Sequence, residues 1–443
     1  MKLRTVISTA MLLAASALSA QTFEEYISMM DSLAMEPPQI QTEFNRKYRT
    51  RNLDYGMTIG VERTPGGRIW NCFVGGGDNE DAYFVLNWSD DGGQTWTDSK
   101  YVIDPHDDSL PFARRTIVGQ LWTDPIGRLW LFYDQSVTYY YGSATNWYSI
   151  CENPDADEPV WSEPVFLGEG CTLNKPTVMS TGEWVLPVSI WSRKTMAYST
   201  LKHVWTDEQF RSSKSELDPI RGAHAYVSVD QGKTWEDRGM TVFPEPTFDE
   251  HQFIELADGR WWMTARVGIG TNKSGIMQSF SSDRGYTWSE PEFYQPHISS
   301  RHFIRRLASG NLVLVRHGRY DECTSTRTNL TAFISEDEGK TWKGGLLLDD
   351  TYDISYPTGF QAPDGYIYVS YDLQRTRRGE IYLVKFTEED VLAGKIVSDE
   401  GYLKNLIFKP GKAHKSKANI AARKAAAEKN GKCRGKQNIA CKL

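Results

Sequence analysis

Ser89-Asp90-Asp91-Gly92-Gly93-Gln94-Thr95-Trp96 is the stretch on which the reading of this chain turns. Its pattern, S-x-D-x-G-x-T-W, returns at Ser228-Val229-Asp230-Gln231-Gly232-Lys233-Thr234-Trp235, at Ser281-Ser282-Asp283-Arg284-Gly285-Tyr286-Thr287-Trp288 and at Ser335-Glu336-Asp337-Glu338-Gly339-Lys340-Thr341-Trp342. The Asp carboxylate folds back onto backbone N–H groups of a turn, and the Gly supplies a left-handed position. Thr-Trp then opens a strand whose indole packs beneath the hairpin.

Working outward, a second repeat sets the number of units. Gly67-Arg68-Ile69-Trp70, Gly127-Arg128-Leu129-Trp130, Gly182-Glu183-Trp184-Val185, Gly259-Arg260-Trp261-Trp262, Gly310-Asn311-Leu312-Val313 and Gly365-Tyr366-Ile367-Tyr368 each read as a hairpin turn feeding a strand. Successive copies lie on the order of 50–60 residues apart, somewhat more than common four-stranded repeats. The interval from Gly182 to Gly259 is longer and holds a polar insertion, Thr195 to Arg221. Six such repeats predict an all-β chain folded as a six-bladed β-propeller, with two blades lacking a full box. Trp161-Ser162-Glu163-Pro164 reads as the tail of a degenerate box, because Trp288-Ser289-Glu290-Pro291 follows an intact one in the same way.

The ends divide the 443-residue chain further. Residues 1–20 read as a signal peptide, with Lys2 and Arg4 ahead of the apolar run Val6 to Ala17, so an exported, periplasmic or extracellular protein is expected. That run is too short for a membrane span. Residues 21–50 form a lead-in whose Phe23, Tyr26, Met29, Met30 and Leu33 have helical spacing, ended by Pro37-Pro38. The propeller is expected over 51–408, and 409–443 is a basic tail with the composition of a disordered extension. From Lys409 onward there are eleven Lys/Arg and one acid, so the net charge of −7 splits into −17 for the body and +10 for the tail. In an exported protein such a tail reads as a solvated terminus, and no nucleic-acid partner is expected. Six cysteines permit disulfides, Cys151–Cys171 and Cys433–Cys441 being the pairs to examine first. Neither they nor the eight histidines have metal-ligand spacing, so no metal and no cofactor is expected. A monomer acting on a glycan is the expected partnership.

The boxes and blade repeats resemble those of the sialidase superfamily over roughly Asp54 to Lys395. The likeness is carried also by Asn174-Lys175-Pro176-Thr177-Val178, Asp249-Glu250-His251, Arg327-Thr328-Asn329-Leu330-Thr331 and Ser355-Tyr356-Pro357. The resemblance implies a secreted, retaining exo-glycoside hydrolase with a Tyr nucleophile partnered by a Glu and an Asp acid/base. A carboxylate at the anomeric carbon repels an anionic nucleophile, and a neutral phenol avoids that repulsion. Tyr356, just before the last blade's turn and strand, is the implied nucleophile. Glu250 is its implied partner and Asp78, in the loop before the first box, the implied acid/base. For substrate binding the resemblance implies Arg266 and Arg327. Arg301, Arg115 and His251 are further candidates at neighbouring blade entries.

One position departs from the pattern. The superfamily binds the substrate carboxylate with three arginines, and the place of the first falls near Met57 in this chain. A guanidinium and a carboxylate form a bidentate contact that methionine cannot replace. Two alternatives therefore stand beside the sialidase-type hydrolase. One is a polysaccharide lyase on uronate-containing glycans, with Arg neutralising the carboxylate and Tyr or His removing a proton. The other is a non-catalytic sugar-binding propeller.

Overall fold

The computed structural model describes residues 22–196, 205–245, 248–268 and 274–414. The signal segment and all but the first six residues of the basic tail, including Cys433 and Cys441, lie outside them. Among the described residues no helix is long and apolar enough to cross a membrane.

Six antiparallel sheets stand in a ring. Blade one is β1 (Met57–Arg63), β2 (Ile69–Gly75), β3 (Tyr83–Ser89) and β4 (Tyr101–Ile103). Blade two has a split inner strand, β5 (Arg114–Arg115) and β6 (Gly119–Thr123), both pairing with β7 (Leu129–Val137), followed by β8 (Thr145–Cys151) and β9 (Val165–Glu169). Blade three is β10 (Thr177–Val178), β11 (Trp184–Ile190), β12 (Gly222–Ser228) and β13 (Glu236–Thr241). Blade four is β14 (Gln252–Glu255), β15 (Trp261–Val267), β16 (Gly275–Ser281) and β17 (Glu292–Pro296). Blade five is β18 (Phe303–Arg306), β19 (Leu312–His317), β20 (Leu330–Ser335) and β21 (Lys343–Asp349). Blade six is β22 (Ile354–Gln361), β23 (Ile367–Leu373), β24 (Glu380–Phe386) and β25 (Tyr402–Phe408). Strands pair in chain order within each blade, so the ring closes by packing. Phe73 meets Phe408 at 4.2 Å, and the Thr58 N–H donates to Asp372 at 3.3 Å.

The boxes fold as their residues dictate. In the second, Ser228 Oγ donates to Asp230 and accepts from the Gly232 N–H at 2.7 Å, while the Thr234 N–H and Oγ1 donate to the Asp230 carboxylate at 2.9 and 2.7 Å. Those Thr234 bonds, side chain first, hold Asp230 down to about 2. The other three boxes repeat the geometry. The degenerate copy keeps its tail: Ser162 N–H donates to Ile150 O at 2.8 Å and Ser162 Oγ accepts from Ile150 N–H at 3.0 Å, matching Ser289 and Phe280. Cys151 and Cys171 are free thiols, so the first of the two expected disulfides is not formed. Each sits buried in a different part of blade two and its exit, Cys151 ending β8 and Cys171 pairing with Ser189.

The lead-in carries helix α1 (Phe23–Ala34), capped by Thr22 and Glu25. It buries Met30, Leu33 and Ala34, and its final carbonyls are met by blade two. Gln135 Nε2 donates to Ala34 O and Glu36 O at 2.7 Å, and Thr145 Oγ1 donates to Ala34 O at 2.9 Å. The insertion adds a short helix, α2 (Asp207–Ser212), whose Phe210 packs on Trp205 and whose following Ser213 donates to Tyr141 O at 2.6 Å.

Polar crossbars fill the axis. Lys175 Nζ, leaving blade three's entry, donates to Val61 O and pairs with Glu62 of blade one, both at 2.6 Å and all buried. Arg305 donates to Pro176 O at 2.8 Å, and Gln120 Nε2 reaches Thr358 Oγ1 at 3.3 Å.

The second box yields a stability test. Gln231 and Gly232 are both left-handed, at φ 62° and 82°, and a Cβ on Gly232 would meet Trp130 at 2.5 Å. Gly232→Ala is expected to lower stability by about 2 kcal/mol or more, whereas Gln231→Gly changes it by less than about 1 kcal/mol. Thermal unfolding of both variants checks the difference.

Candidate active site

The second strand of each blade ends, and the third begins, at the end of the ring opposite the boxes. Asp78 follows β2, Arg266 is the second-last residue of β15, Arg327 precedes β20, and Glu250 precedes β14. Tyr356 lies near the start of β22. Topology therefore gathers these residues at one mouth of the ring. A cavity of about 110 Å³ there is lined by Tyr356, Asp78, Arg266 and Arg327, by Met57, and by Arg375. Its remaining walls are apolar and aromatic, Tyr139, Trp191 and Phe248 among them. A larger groove of about 550 Å³ lies between blades four and five, away from these groups.

Local backbone aims each side chain. In β22 the register shifts between Ser355 and Thr358, and Tyr356 stands at φ 55°. Pro357 has no N–H to lose from the ladder, so the bulge falls where pairing costs least, and it turns the ring into the cavity. Asp78 follows Gly75-Gly76-Gly77. A Cβ on Gly76 would meet Asp81 O at 2.0 Å, so only glycine permits this tight approach. Ile117 and Val118 reach the cavity because the inner strand of blade two breaks there. Asp134 Oδ1 accepts their N–H groups at 2.9 and 3.0 Å in place of the ladder.

Glu250 is fully buried behind the cavity. Its Oε1 accepts from Arg266 Nη1 at 2.9 Å, and Oε2 has no hydrogen-bond partner among the described residues. Tyr356 and Glu250 thus share no direct hydrogen bond, but they are close enough to interact through space. Burial, then the Glu250 charge, push the Tyr356 phenol above its ordinary value, while Arg375 and Arg266 pull the other way. Burial works against the Glu250 charge, yet Arg266 and Arg301 prevail and hold its carboxyl low. Arg327 donates to Ser355 Oγ and to Ser299 O, both at 2.8 Å. Burial, then Arg266 and Arg375, bring it down to about 10.

Three of the residues proposed from sequence sit elsewhere. Arg301, 2 % exposed, lies under Tyr356: it donates to Leu173 O at 2.8 Å and Tyr356 O at 3.2 Å, with its guanidinium 4.6 Å from the ring centroid. Arg115 is fully buried, paired with Asp134 and donating to Tyr139 O at 2.7 Å, so it props the cavity wall from behind. The His251 ring is buried, with Nε2 on His224 O at 2.9 Å and an edge-to-face contact with Phe253 at 5.3 Å. None of the three lines the cavity. Each of the three is held by acceptors behind the cavity wall rather than in it.

Arg375 is the group that sequence reasoning missed. It grips Asp372 through Nε and Nη2 at 3.1 and 3.2 Å, touches Met57 Sδ at 2.9 Å and Asp78 at 3.4 Å, and lies 4.3 Å from the Tyr356 centroid. Its guanidinium occupies the space beside Met57 where an arginine on β1 would reach. A signal existed: like Arg266, it stands at the end of a blade's second strand.

A family model for the BNR repeat-like domain matches residues 68–369. The chain belongs to the BNR repeat-like domain family. Its propeller is sialidase-like in fold. Solved structures similar to this BNR repeat protein include the NanB sialidase of Streptococcus pneumoniae, at 12% identity and TM-score 0.53, covering 77% of this chain and 69% of that one. The intramolecular trans-sialidase of Ruminococcus gnavus matches at 13% identity and TM-score 0.52, covering 83% and 96%. A leech intramolecular trans-sialidase matches at 13% and 0.54, covering 80% and 71%. No curated protein matches the chain in sequence.

The buried pair can be tested without a substrate. Arg266→Met leaves Glu250 without its hydrogen-bonded cation and is expected to cost about 3 kcal/mol of stability, most of it recovered in the double variant with Glu250→Gln. Chemical denaturation of the two single variants and the double variant measures the coupling.

Proposed function

We propose that this protein is an exported, retaining exo-glycoside hydrolase of sialidase type that releases a terminal, carboxylate-bearing sugar. The observation that carries the reading is one small cavity lined by Arg266, Arg327 and Arg375 together with Tyr356 and Asp78, with the Glu250 carboxylate buried behind it. Three guanidiniums converging on a space with apolar walls suit an anionic ligand. Arg375 supplies the cation that Met57 lacks, which supports an acidic substrate over a neutral one. The narrowness of the cavity suits the end of a glycan, hence exo action. The amino-terminal sequence supports export.

In the proposed reaction the arginines hold the sugar carboxylate, and the Tyr356 oxygen attacks the anomeric carbon. Its proton passes to Glu250, whose Oε2 accepts from no donor among the described residues. Asp78, the most exposed of the group, protonates the departing glycosidic oxygen. In the second half Asp78 takes a proton from water, the water oxygen attacks the anomeric carbon, and the Tyr356 oxygen leaves and recovers its proton from Glu250. A phenol that burial and Glu250 keep neutral at rest meets the substrate carboxylate without charge repulsion. The lyase reading keeps Tyr356 as its base, since among the described residues no histidine lines the cavity, and the reaction product separates it from the hydrolase.

Tyr356→Phe is expected to lower kcat by orders of magnitude with little change in Tm, since only a hydroxyl is lost. Arg327→Lys and Arg375→Lys are expected to raise KM about 10-fold or more for acidic glycosides and to leave neutral ones nearly unaffected. Steady-state kinetics on matched acidic and neutral glycosides check both. Full activity in Tyr356→Phe, or a product absorbing near the ultraviolet edge from a new double bond, rules out the hydrolase mechanism.

A further inference from the structure

Glu250 owes its direction to a turn that no regular element provides. The Glu250 N–H donates to Phe248 O at 2.6 Å, with Asp249 at φ 55° and Glu250 itself at φ 47°. A three-residue turn of this hand is rare and strained, and a second left-handed non-glycine residue adds to the strain. The surroundings must hold it. The Asp249 carbonyl accepts from the Arg266 N–H at 2.8 Å. Asn174 Nδ2 donates to Glu250 O at 2.7 Å and His251 O at 3.0 Å. The remaining hold is on the Asp249 side chain, which is 2 % exposed. Ser189 Oγ, near the end of β11, donates to its Oδ2 at 2.5 Å.

The other carboxyl oxygen, Oδ1, has no partner among the described residues. Asp249 borders a cavity of about 190 Å³ between blade three and the insertion, with Ser192, Asp218 and Arg221 across it. This pocket is separate from the one that holds Tyr356.

We propose that Asp249 is a positioning residue: latched by Ser189, its side chain holds the strained turn that aims Glu250 at Tyr356. The proposal rests on the reading of Glu250 as the base for Tyr356. It also gives the site a pH dependence. The groups facing the Asp249 carboxyl are Ser189 on β11, His224 on β12, Asp218 and Arg221 of the insertion, and Glu250 and Arg266 beside it. Burial pushes the carboxyl up to about 6 against the Ser189 hydrogen bond and His224, and the neighbouring Glu250 adds to the push. Below that value Asp249 is a neutral neighbour of Glu250. Above it two buried carboxylates adjoin, which loosens the turn. A carboxyl raised by folding loses stability for the fold as pH rises from about 4 towards 6, because the folded state keeps a proton that the unfolded chain has released.

The test uses the full chain with Asp249→Asn, Asp249→Ala and Ser189→Ala. Activity of the wild type on an acidic glycoside should fall on the alkaline side with a midpoint near pH 6. Asp249→Asn keeps the shape and the neutral state, so it should retain kcat within about threefold at pH 5 and lose that alkaline limb. The two alanine variants should lower kcat about 10-fold or more with KM little changed. A crystal structure of Asp249→Ala should show residues 249 and 250 relaxed to negative φ and Glu250 turned from Arg266. The proposal is overturned if Asp249→Ala keeps the wild-type kcat and pH profile, or if its crystal structure retains the turn. If the wild type cleaves no acidic glycoside, the functional reading falls on that result alone. The structures of the two alanine variants then decide whether Asp249 and Ser189 hold the turn.

Discussion

Arg301 binds the architecture to the site. It enters from blade five, donates to Leu173 O at blade three's approach and to Tyr356 O in blade six, and lies against the Tyr356 ring. A ring of sheets closed by packing alone leaves its inner strands free to slide past one another. A buried guanidinium with carbonyl acceptors on two other blades opposes that sliding, because any shift strands its donors in a place without water. Arg375 meets the same phenol ring from its own side of the cavity, tied to Asp372. The orientation of Tyr356 is therefore a property of three blades together.

The fold was legible because its signals are local. Each box carries its own turn chemistry within eight residues, and each glycine turn announces a second strand, so six repeats could be counted without knowing any long-range contact. The site was legible only where a position relative to those repeats implies a direction. Asp78, Glu250, Arg266, Arg327 and Tyr356 stand at strand ends facing one mouth, and the structure brings them together. Arg115 and Arg301 stand at similar places but found Asp134 and two carbonyls first. Competition between a buried acceptor and an open cavity is decided in three dimensions. For the same reason Met57 suggested a missing cation, whereas the space beside it is filled by Arg375, more than three hundred residues on in sequence.

Strain marks the same places. Tyr356 and the Asp249-Glu250 pair hold positive φ in residues with full side chains, and all lie at or directly behind the cavity. The boxes also contain left-handed residues, the exposed Gln231 and Arg284 and the half-buried Glu338, but those are rim turn positions held by repeating hydrogen bonds. Left-handed backbone at a rim turn is ordinary hairpin geometry. At a half-buried tyrosine lining the cavity and a fully buried acid it requires the surrounding bonds to over-determine the conformation.

The filled axis has a consequence for how a polymer meets this molecule. Lys175 with Glu62, Arg305 with Pro176 and Gln120 with Thr358 cross the centre of the ring below the arginine mouth. Among the described residues these contacts lie across the ring, so whatever enters the mouth backs out the way it came. A chain cannot be threaded through the ring and advanced past the arginine mouth in successive steps. For the glycan hydrolase proposed above, each turnover then ends with full withdrawal, a long glycan is shortened by repeated, independent encounters, and branched or anchored chains are met on the same terms as free ones.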